Sequence, residues 1–532
     1  METSRSTVTQ KQNWILVALV AAAAFASLFW RLDGAYLWRD EATTASWART
    51  MVRDHSLLPL VFDGKTLAAQ GFDAHDFNEH LTPGMQGWLQ FYVSAFVFQL
   101  FGISTFTARL PFAIVGLLSL WVLWLIGRRL YPRGNLALLF PLLAFSSIWF
   151  LTAFRQARYY GLVFLFGSLL LYEFLRYLED HAVANRLSWF LRVAGWSTGM
   201  YLSNYLGFAG MYSALCVYVL LLGDRRLLFR WATMTAILAV LFGAEFFSFH
   251  FDFASTWVDA PQLAGSTSVS VWDKLRSARG MHSEENFRML PLLFLIPGVF
   301  SLFQRRVANA SAEVRVPLWT VGLIFALGLA VFFAKGSAAL TWLTIGLTFV
   351  LAAAALRAFL TLRRRRAAGA IPTERPMWLL PVLVGAMVVY GLGVKHSPEN
   401  YLLYLFAELL VAGLTVFAVL RLRPRPGRPM DPLSGMTLLT ILVIVVSVLV
   451  TIAVGLDKGL PRYYYHVLAA ALVLTGLMVA EWFRRGQRAF AALLLAGVLI
   501  WPNITYSIES SYGMVGRQFT LNRTIDYPVV EY

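Results

Sequence analysis

Two adjacent carboxylates, Asp40 and Glu41, stand in the stretch YLWRDEATTASW, directly after the first long apolar run of the chain. Asp is a favoured N-cap and Glu suits the positive end of the helix dipole, so the pair could simply begin a helix. A carboxylate beside a reacting hydroxyl can also act as a general base. The following residues predict an amphipathic interfacial helix. On it a carboxylate, two hydroxyls and an indole share one face by helical spacing: Asp40, Thr43, Thr44 and Trp47.

A second, opposite anomaly is the pair of arginines in TAFRQARYYG. Arg155 and Arg158 fall at the predicted outer end of a helix, where the positive-inside rule makes paired arginines unusual. If the turn is helical, Arg155, Arg158 and Tyr159 lie on one face. The arginines could anchor the helix to lipid headgroups, or they could bind a phosphate, because a guanidinium matches a pair of phosphate oxygens.

More cations lie beside aromatic residues at predicted outer helix ends. Lys395 and His396 follow YGLGV, and Arg462 precedes three tyrosines and His466 in LDKGLPRYYYH. A carboxylate opposite several cations at the outer surface of a bilayer suits a phosphate-bearing lipid whose head reacts with a second molecule. The acid would take a proton while the cations hold the departing phosphate.

The elements that must position these residues are predicted to be membrane helices. The 532 residues are 58% hydrophobic and only 14% charged, against roughly a quarter charged in ordinary soluble domains. Apolar segments recur from Asn13 to Pro502, and roughly 13 to 15 of them are long enough to cross a hydrocarbon core of about 30 Å. The first run, Asn13 to Trp30, is too long for a signal-peptide core and is read as a retained helix. An all-α polytopic membrane protein of one domain, residues 1–532, is therefore predicted.

The net charge of +16 does not indicate nucleic acid, because the basic residues fall in short loops between apolar runs. Arginines in such loops keep the loops in the cytoplasm. Cys216 is the only cysteine, so neither a disulfide within the chain nor a thiolate metal site is available.

One apolar segment breaks the alternation of the loops. If Gln86 to Phe101 crossed the membrane, the segment 31–83, which carries eight acidic residues, would lie on the same side of the membrane as the basic loop at Arg128. This segment is therefore predicted to lie on, or dip into, the outer leaflet. The N-terminus is then cytoplasmic, residues 31–105 form a large outer loop with juxtamembrane helices, residues 106–505 form the helical bundle, and residues 506–532 form an outer tail.

Three stretches resemble the N-terminal half of GT-C superfamily glycosyltransferases, of the protein O-mannosyltransferase and aminoarabinose transferase kind. They are WRDEATTASWARTM, HLTPGMQGWLQFYVSAFVFQLFGISTFTARLPFAIVGLLSLWVLWLIGRRLYPRGN and RQARYYGLVFLF, within Leu37 to Leu175. Later, LPRYYYHVLAAALVL looks like the Arg-Tyr segment that opens a late helix in those proteins. The resemblance implies a GT-C-type bundle and a glycosyltransferase whose donor is a sugar on a polyprenyl monophosphate.

The resemblance also implies roles for single residues. An outer acid at the position of Asp40 is the general base on the acceptor hydroxyl, and Glu41 orients acceptor or base. Because that base acts opposite the departing phosphate, direct displacement with inversion is expected. Guanidinium groups can replace a metal, so no cofactor is required, although a divalent metal is possible. The candidate donor-phosphate ligands are Arg155, Arg158, Tyr159, Lys395, Arg462 and Arg39, and the candidate substrate contacts are Thr43, Thr44, Trp47, His80, Tyr463 and His466.

The outer stretch HDFNEH offers His75, Glu79 and His80, and the aminoarabinose transferases use a Glu/His structural zinc site in this loop. His75 and Glu79 are four residues apart, whereas His80 lies on another face of a helix. Ordinary hydrogen bonding within the loop is therefore favoured, and no metal site is predicted.

Two other classes remain open. A lipid or glycan transporter or flippase would place ionisable groups near mid-membrane. In this sequence such charges are nearly absent from the apolar runs, and the two candidates are Glu245 and Glu408. An O-antigen ligase-type enzyme would use a polyprenyl diphosphate donor and depend less on an outer acid. For the glycosyltransferase, the expected location is a bacterial cytoplasmic membrane with the active site on the extracytoplasmic face. The acceptor hydroxyl belongs to a glycan, a lipid or a protein, and the sequence does not select the sugar.

Overall fold

The structure, a computed structural model, describes most of the N-terminal half of the chain and two later helices. The described residues are 2–34, 37, 39–55, 57, 87–132, 135–145, 147–249, 416, 419–420, 422, 430–454 and 465–484. Within these ranges every regular element is a helix and there is no strand. The predicted all-α class is confirmed.

The α-helices are labelled here in chain order. They are α1 (Glu2–Phe29), α2 (Arg39–Arg53), α3 (Leu89–Phe101), α4 (Thr105–Leu130), α5 (Leu139–Phe145), α6 (Ile148–Phe154), α7 (Tyr160–Glu179), α8 (Leu187–Ser203), α9 (Tyr205–Leu222), α10 (Arg225–Phe249), α11 (Pro432–Val454) and α12 (Tyr465–Arg484). Short 3₁₀ turns, Leu136–Leu138 and His181–Asn185, precede α5 and α8.

Four helices of the described part, α4, α7, α9 and α10, are long and apolar enough to cross a membrane. This count rests on length and composition, which are the properties that the hydrocarbon core selects. It agrees with the predicted membrane character, while the predicted total of roughly 13 to 15 spans includes residues outside the described ranges.

The segment that broke the alternation of loops forms the short helix α3. Its 13 residues give a length of about 20 Å, less than the hydrocarbon thickness of roughly 30 Å. It packs against α2, where the Trp47 and Phe91 rings meet edge to face with centroids 4.8 Å apart. This length is short for a membrane span, and it agrees with the prediction that the segment is a juxtamembrane helix.

Helix α7 forms the centre of the described bundle, because it packs against α4, α8, α11 and α12. In its N-terminal half, Phe164 packs edge to face against Phe150 and Phe154 of α6, with centroids 5.4 and 5.5 Å apart. Such edge-to-face pairs each contribute about 0.5–1.5 kcal/mol beyond area burial. This aromatic cluster fixes α6 and α7 on either side of the turn that joins them.

Local caps set where several helices begin. Ser104 accepts from the Thr107 amide at 3.1 Å and Thr107 Oγ1 accepts from the Ser104 amide at 2.9 Å, a reciprocal capping box that starts α4. Asn204 likewise accepts from the Gly207 amide at 2.7 Å at the start of α9. The sequence therefore specifies the predicted outer ends of both helices locally.

Close packing at Gly210 of α9 gives a first prediction. A Cβ atom at this position would lie 2.8 Å from Ser447 Oγ and 2.9 Å from His466 Nε2, two atoms that are themselves 2.9 Å apart in a hydrogen bond. We expect Gly210→Ala to cost about 1–3 kcal/mol through overpacking, measured as a lower thermal unfolding midpoint of the full-length protein in detergent.

The matched control is Gly195→Ala on α8, where nothing lies within 4 Å of the added Cβ. Because alanine favours helix over glycine by up to about 1 kcal/mol, this variant should be as stable as the wild type or slightly more stable. Equal midpoints for Gly210→Ala and Gly195→Ala would contradict the packing of α9 against α11 and α12.

Candidate active site

The turn between α6 and α7, residues 155–159, is irregular rather than helical. The condition under which Arg155, Arg158 and Tyr159 would share one helical face is therefore not met. Helix α6 ends at Phe154, with Arg155 as its C-cap. Because the turn is not helical, its backbone amides need partners elsewhere, and two of them are supplied by side chains of α2 and α3.

Glu41 of α2 is completely buried and is one of these partners. Its Oε1 accepts from the Ala157 amide at 2.8 Å and from Arg109 Nε at 2.9 Å, while its Oε2 accepts from Arg109 Nη2 at 2.7 Å. Arg109, on the first turns of α4, also donates to the Leu32 carbonyl at 2.8 Å. One carboxylate thus joins α2, α4 and the α6–α7 turn.

Both carboxylate oxygens of Glu41 accept hydrogen bonds from Arg109, and one also accepts from the Ala157 amide. The side chain therefore fixes the start of α2, the turn that carries Asp40. Sequence reasoning missed Arg109. The signal was present, because an arginine near the outer end of an apolar span is the same anomaly that drew attention to Arg155.

Arg155 is also completely buried and anchors the C-terminal end of α1. Its Nη1 donates to the Ser27 carbonyl at 2.6 Å and to the Leu28 carbonyl at 3.2 Å, and its Nη2 donates to the carbonyls of Trp30 at 2.9 Å and Arg31 at 3.3 Å. The last carbonyls of a helix lack intrahelical partners, and this guanidinium supplies them. The described contacts therefore favour an anchoring role for Arg155 over the expected phosphate-binding role.

The charge of Arg155 is maintained at neutral pH despite its burial. Burial is the main reason that the pKa of Arg155 is lowered to about 9, the Arg109 cation lowers this pKa further, and Glu41 opposes both effects. The side chains Arg109, Arg155, Arg158 and Glu41 together carry a net charge of +2, three cations less one carboxylate. This cluster favours the approach of an anion.

Arg158 lies beside the face of α2 that was predicted to point at the substrate. Its Nη1 is 3.3 Å from Thr44 Oγ1, and its guanidinium carbon is 5.2 Å from the Tyr159 ring centroid and 5.8 Å from that of Tyr160. Thr44 in turn is 3.5 Å from Gln90 Oε1. Arg158 is 3% exposed, and its guanidinium lies within cation–π distance of both rings, so these contacts restrain the side chain.

Gln90 of α3 is the second side chain that completes the turn, and it was also missed from the sequence. Its Oε1 accepts from the Tyr159 amide at 3.0 Å, and its Nε2 donates to the Gly87 carbonyl at 3.3 Å. Gly87 in turn approaches α8, since a Cβ there would lie 2.3 Å from the Leu202 carbonyl oxygen. The turn is therefore held by α2, α3 and, through α3, by α8.

The remaining described candidates pack inside the protein. Thr43 and Trp47 are buried between α2 and its neighbours, and Tyr159 is buried beneath Arg158. His466 is buried as well, hydrogen-bonded to Ser447 at the junction of α9, α11 and α12. These contacts give His466 a packing role at this junction.

Asp40 and Arg39 lie in the first turn of the confirmed helix α2. Their side chains are outside the described part of the structure, but Glu41, the next residue, is fixed by Arg109 and Ala157. The backbone that carries Asp40 is thus held in a defined place beside the α6–α7 turn. The other candidates lie outside the described residues: His75, Glu79, His80, Lys395, Arg462 and Tyr463. Among the residues that are described, no cluster of His, Cys, Asp or Glu could hold a metal ion.

Comparison with known proteins supports this interpretation for part of the chain. Residues 86–249 match the family model of the dolichyl-phosphate-mannose-protein mannosyltransferases, which are GT-C glycosyltransferases. The resemblance to the GT-C superfamily is confirmed. The GT-C match includes Gln90, Arg109 and the whole α6–α7 turn, so the residues that hold α2 in place belong to it.

Two solved structures resemble the chain more loosely, over more than nine tenths of its length. ArnT from Cupriavidus metallidurans bound to undecaprenyl phosphate is 17% identical with a TM-score of 0.37, over 91% of this chain and 77% of that chain. ArnT from the same organism in the apo state is also 17% identical, with a TM-score of 0.38, over 92% of this chain and 78% of that chain. Likenesses at this level do not specify a function. No curated protein sequence matches the chain.

Proposed function

We propose that this protein transfers a sugar from a polyprenyl-monophosphate-linked donor to a hydroxyl acceptor at the outer face of a membrane. The observation that carries the proposal is the match of residues 86–249 to dolichyl-phosphate-mannose-protein mannosyltransferases, together with the buried contacts by which this segment holds the first turn of α2. Dolichyl phosphate is a polyprenyl-type monophosphate, so the family description names the class of donor.

In the proposed reaction, Asp40 removes the proton of the acceptor hydroxyl as its oxygen attacks the anomeric carbon. The bond from that carbon to the phosphate oxygen breaks, and polyprenyl phosphate leaves with the bonding electrons. A glycosyl phosphate already has a good leaving group, so alignment, a base and cations are what the protein must supply. Attack opposite the departing phosphate inverts the anomeric configuration.

The described geometry divides the cations into two groups. Arg109 and Arg155 serve structure, because Arg109 pairs with Glu41 and Arg155 donates to backbone carbonyls. Arg158, stacked over two tyrosines, is the described cation best placed for the donor phosphate. Beyond the described residues, Lys395 and Arg462 remain proposed phosphate ligands, and Arg39 of α2 is a further candidate.

This division predicts opposite results for two conservative variants. Arg158→Lys keeps the charge but loses the planar fork, so the KM for the donor should rise about tenfold, with a smaller decrease in the thermal midpoint than Arg155→Lys because fewer hydrogen bonds are lost. Arg155→Lys should instead lower the thermal midpoint, by the equivalent of about 2 kcal/mol, because one ammonium cannot reach four carbonyls. The measurements are donor-dependent kinetics and thermal unfolding of each purified variant. A raised KM in a fully stable Arg155→Lys protein would reverse the assignment.

The test of the function is a donor panel. Purified protein is heated with polyprenyl-monophosphate sugars that differ in the sugar, with polyprenyl-diphosphate sugars, and with polyprenyl phosphate alone. A ligand that binds the folded state raises the midpoint by mass action, so one monophosphate sugar should protect and should then release polyprenyl phosphate when an acceptor is added. Protection and turnover with diphosphate donors only would favour the ligase-type enzyme. Binding without release of polyprenyl phosphate under any acceptor would favour the transporter.

The proposed location is a bacterial cytoplasmic membrane, with the site on the extracytoplasmic face. It follows from the arginine-rich loops that are predicted to be cytoplasmic, since α4 and α7 carry Arg128, Arg129 and Arg176 in their last turns. The α6–α7 turn and the first turns of α2 and α4 are then together at the opposite end of the bundle.

A further inference from the structure

Helix α4 presents an apolar stripe on its outer surface, away from the bundle core. Ile114, Leu118 and Trp121 are 45%, 49% and 52% exposed, and their helical spacing places them on one side of the helix. Because α4 is a candidate membrane span, acyl chains are the natural neighbours of this stripe. Arg128, seven residues after Trp121, continues the same side at the basic end of the helix.

The two adjacent arginines at that end are in different environments. Arg129 donates from Nε to Tyr172 Oη at 3.0 Å and forms an ion pair with Glu179. Arg128 is exposed and has no hydrogen bond or ion pair with any residue that the structure describes. Its guanidinium carbon lies instead 5.1 Å from the Trp124 ring centroid. The charge of Arg129 is thus compensated by Glu179, whereas the charge of Arg128 lies at the surface against the Trp124 ring.

Two tryptophans complete the arrangement. The Trp121 and Trp124 ring centroids are 4.7 Å apart with their planes tilted by 37°, so Trp124, itself only 9% exposed, contacts both Trp121 and the Arg128 guanidinium. Trp121 is 52% exposed and makes no hydrogen bond with a described residue, so its indole N–H can donate to a ligand at the surface. Seven residues of helix separate Trp121 from Arg128 by about 10 Å along the axis, so their side chains can contact one lipid molecule at two different depths.

We propose that Arg128, Trp124 and Trp121 form a binding site for one anionic phospholipid in the leaflet at the basic end of α4. The guanidinium holds the phosphate, the Trp121 N–H donates to the glycerol ester region, and an acyl chain lies along Leu118 and Ile114. The charge of the occupant follows from Arg128, which pairs with no residue that the structure describes, and its lipid nature follows from the apolar stripe that continues along the helix. The site is separate from the proposed active site.

Native mass spectrometry tests this site on the full-length protein, purified in detergent with equimolar phosphatidylglycerol and phosphatidylcholine. One basic residue near an anionic lipid favours binding by about fivefold, so the wild type should retain phosphatidylglycerol over phosphatidylcholine by about that factor. Arg128→Gln should bring the retained ratio close to one. Trp121→Phe, which keeps the ring and loses the donor, should reduce the ratio by a smaller amount.

Arg225→Gln is the matched control, because Arg225 is an exposed arginine at the start of α10 and belongs to the same predicted cytoplasmic surface. It should keep the wild-type preference. A preference that survives in Arg128→Gln would overturn the proposal, and so would equal losses in Arg128→Gln and Arg225→Gln, which would show diffuse attraction by the basic surface. If Arg128→Gln does not fold, the other two variants test the site. A reduced ratio in Trp121→Phe with an unchanged ratio in Arg225→Gln would support the proposal, and an unchanged ratio in Trp121→Phe would overturn it.

Discussion

Asp40→Asn is expected to lose transfer activity by a factor of about 10² to 10⁴, the range that a positioned general base supplies. Asparagine has nearly the same shape as aspartate, and the neighbouring Glu41 still holds the first turn of α2 through Arg109 and the Ala157 amide. The thermal midpoint and the protection given by the donor should therefore stay close to those of the wild type. The measurement is turnover with the donor that the panel identifies.

Asp54→Asn is the matched control, since it makes the same chemical change at the other end of the same helix. Asp54 is exposed and pairs only with the exposed Arg53, at 2.7 Å, in the contacts described here. Its replacement should leave transfer unchanged, because such surface pairs contribute little. Full activity in Asp40→Asn would remove the proposed base and would favour a ligase-type mechanism.

Glu41→Gln and Arg109→Met are expected to produce the largest losses of stability. The pair is at most 1% exposed on either side, and removing one partner leaves the other charge buried without its ion-pair partner. Such changes typically cost about 3–5 kcal/mol. Glu41→Gln has a further effect, because Glu41 supports the charged form of the buried Arg155. Thermal unfolding in detergent should show a large decrease in both variants.

A double variant separates the pair from general damage to the core. Glu41→Leu with Arg109→Met leaves no buried charge of the pair, so it should be more stable than the sum of the single losses implies. The surface pair of Arg53 and Asp54 provides the comparison, and Arg53→Met should leave the midpoint nearly unchanged. Strict additivity of Glu41→Leu and Arg109→Met would contradict the buried ion pair.

Much of the fold could be predicted because membrane helices are specified by local properties. The length of the apolar runs predicted α1 and α4, and the amphipathic stretch after Trp38 predicted α2. The short helix α3 was anticipated from charge alone, since a crossing there would have placed acidic and basic loops on one side. Each of these signals is contained within a window of about 30 residues or within the alternation of charges between windows.

The contacts of the candidate site could be predicted only in part, because they join residues that are distant in the sequence. Glu41 and Arg109 are 68 residues apart, and nothing local to Glu41 indicates which arginine it meets. Arg155 illustrates a second limit. Its position at an outer helix end was visible, but whether its donors serve a phosphate or the carbonyls after Ser27 depends on how α1 and α6 pack. The irregular turn similarly depends on Glu41 and Gln90, which accept its amides.

The most direct test of the central claim is the anomeric configuration of the product. The claim is that Asp40 deprotonates an acceptor hydroxyl that displaces polyprenyl phosphate in a single step. Using the polyprenyl-monophosphate sugar that protects the protein, NMR of the isolated product should show inversion relative to the donor. A product of retained configuration would contradict the account, because it requires either two displacements or a base placed elsewhere.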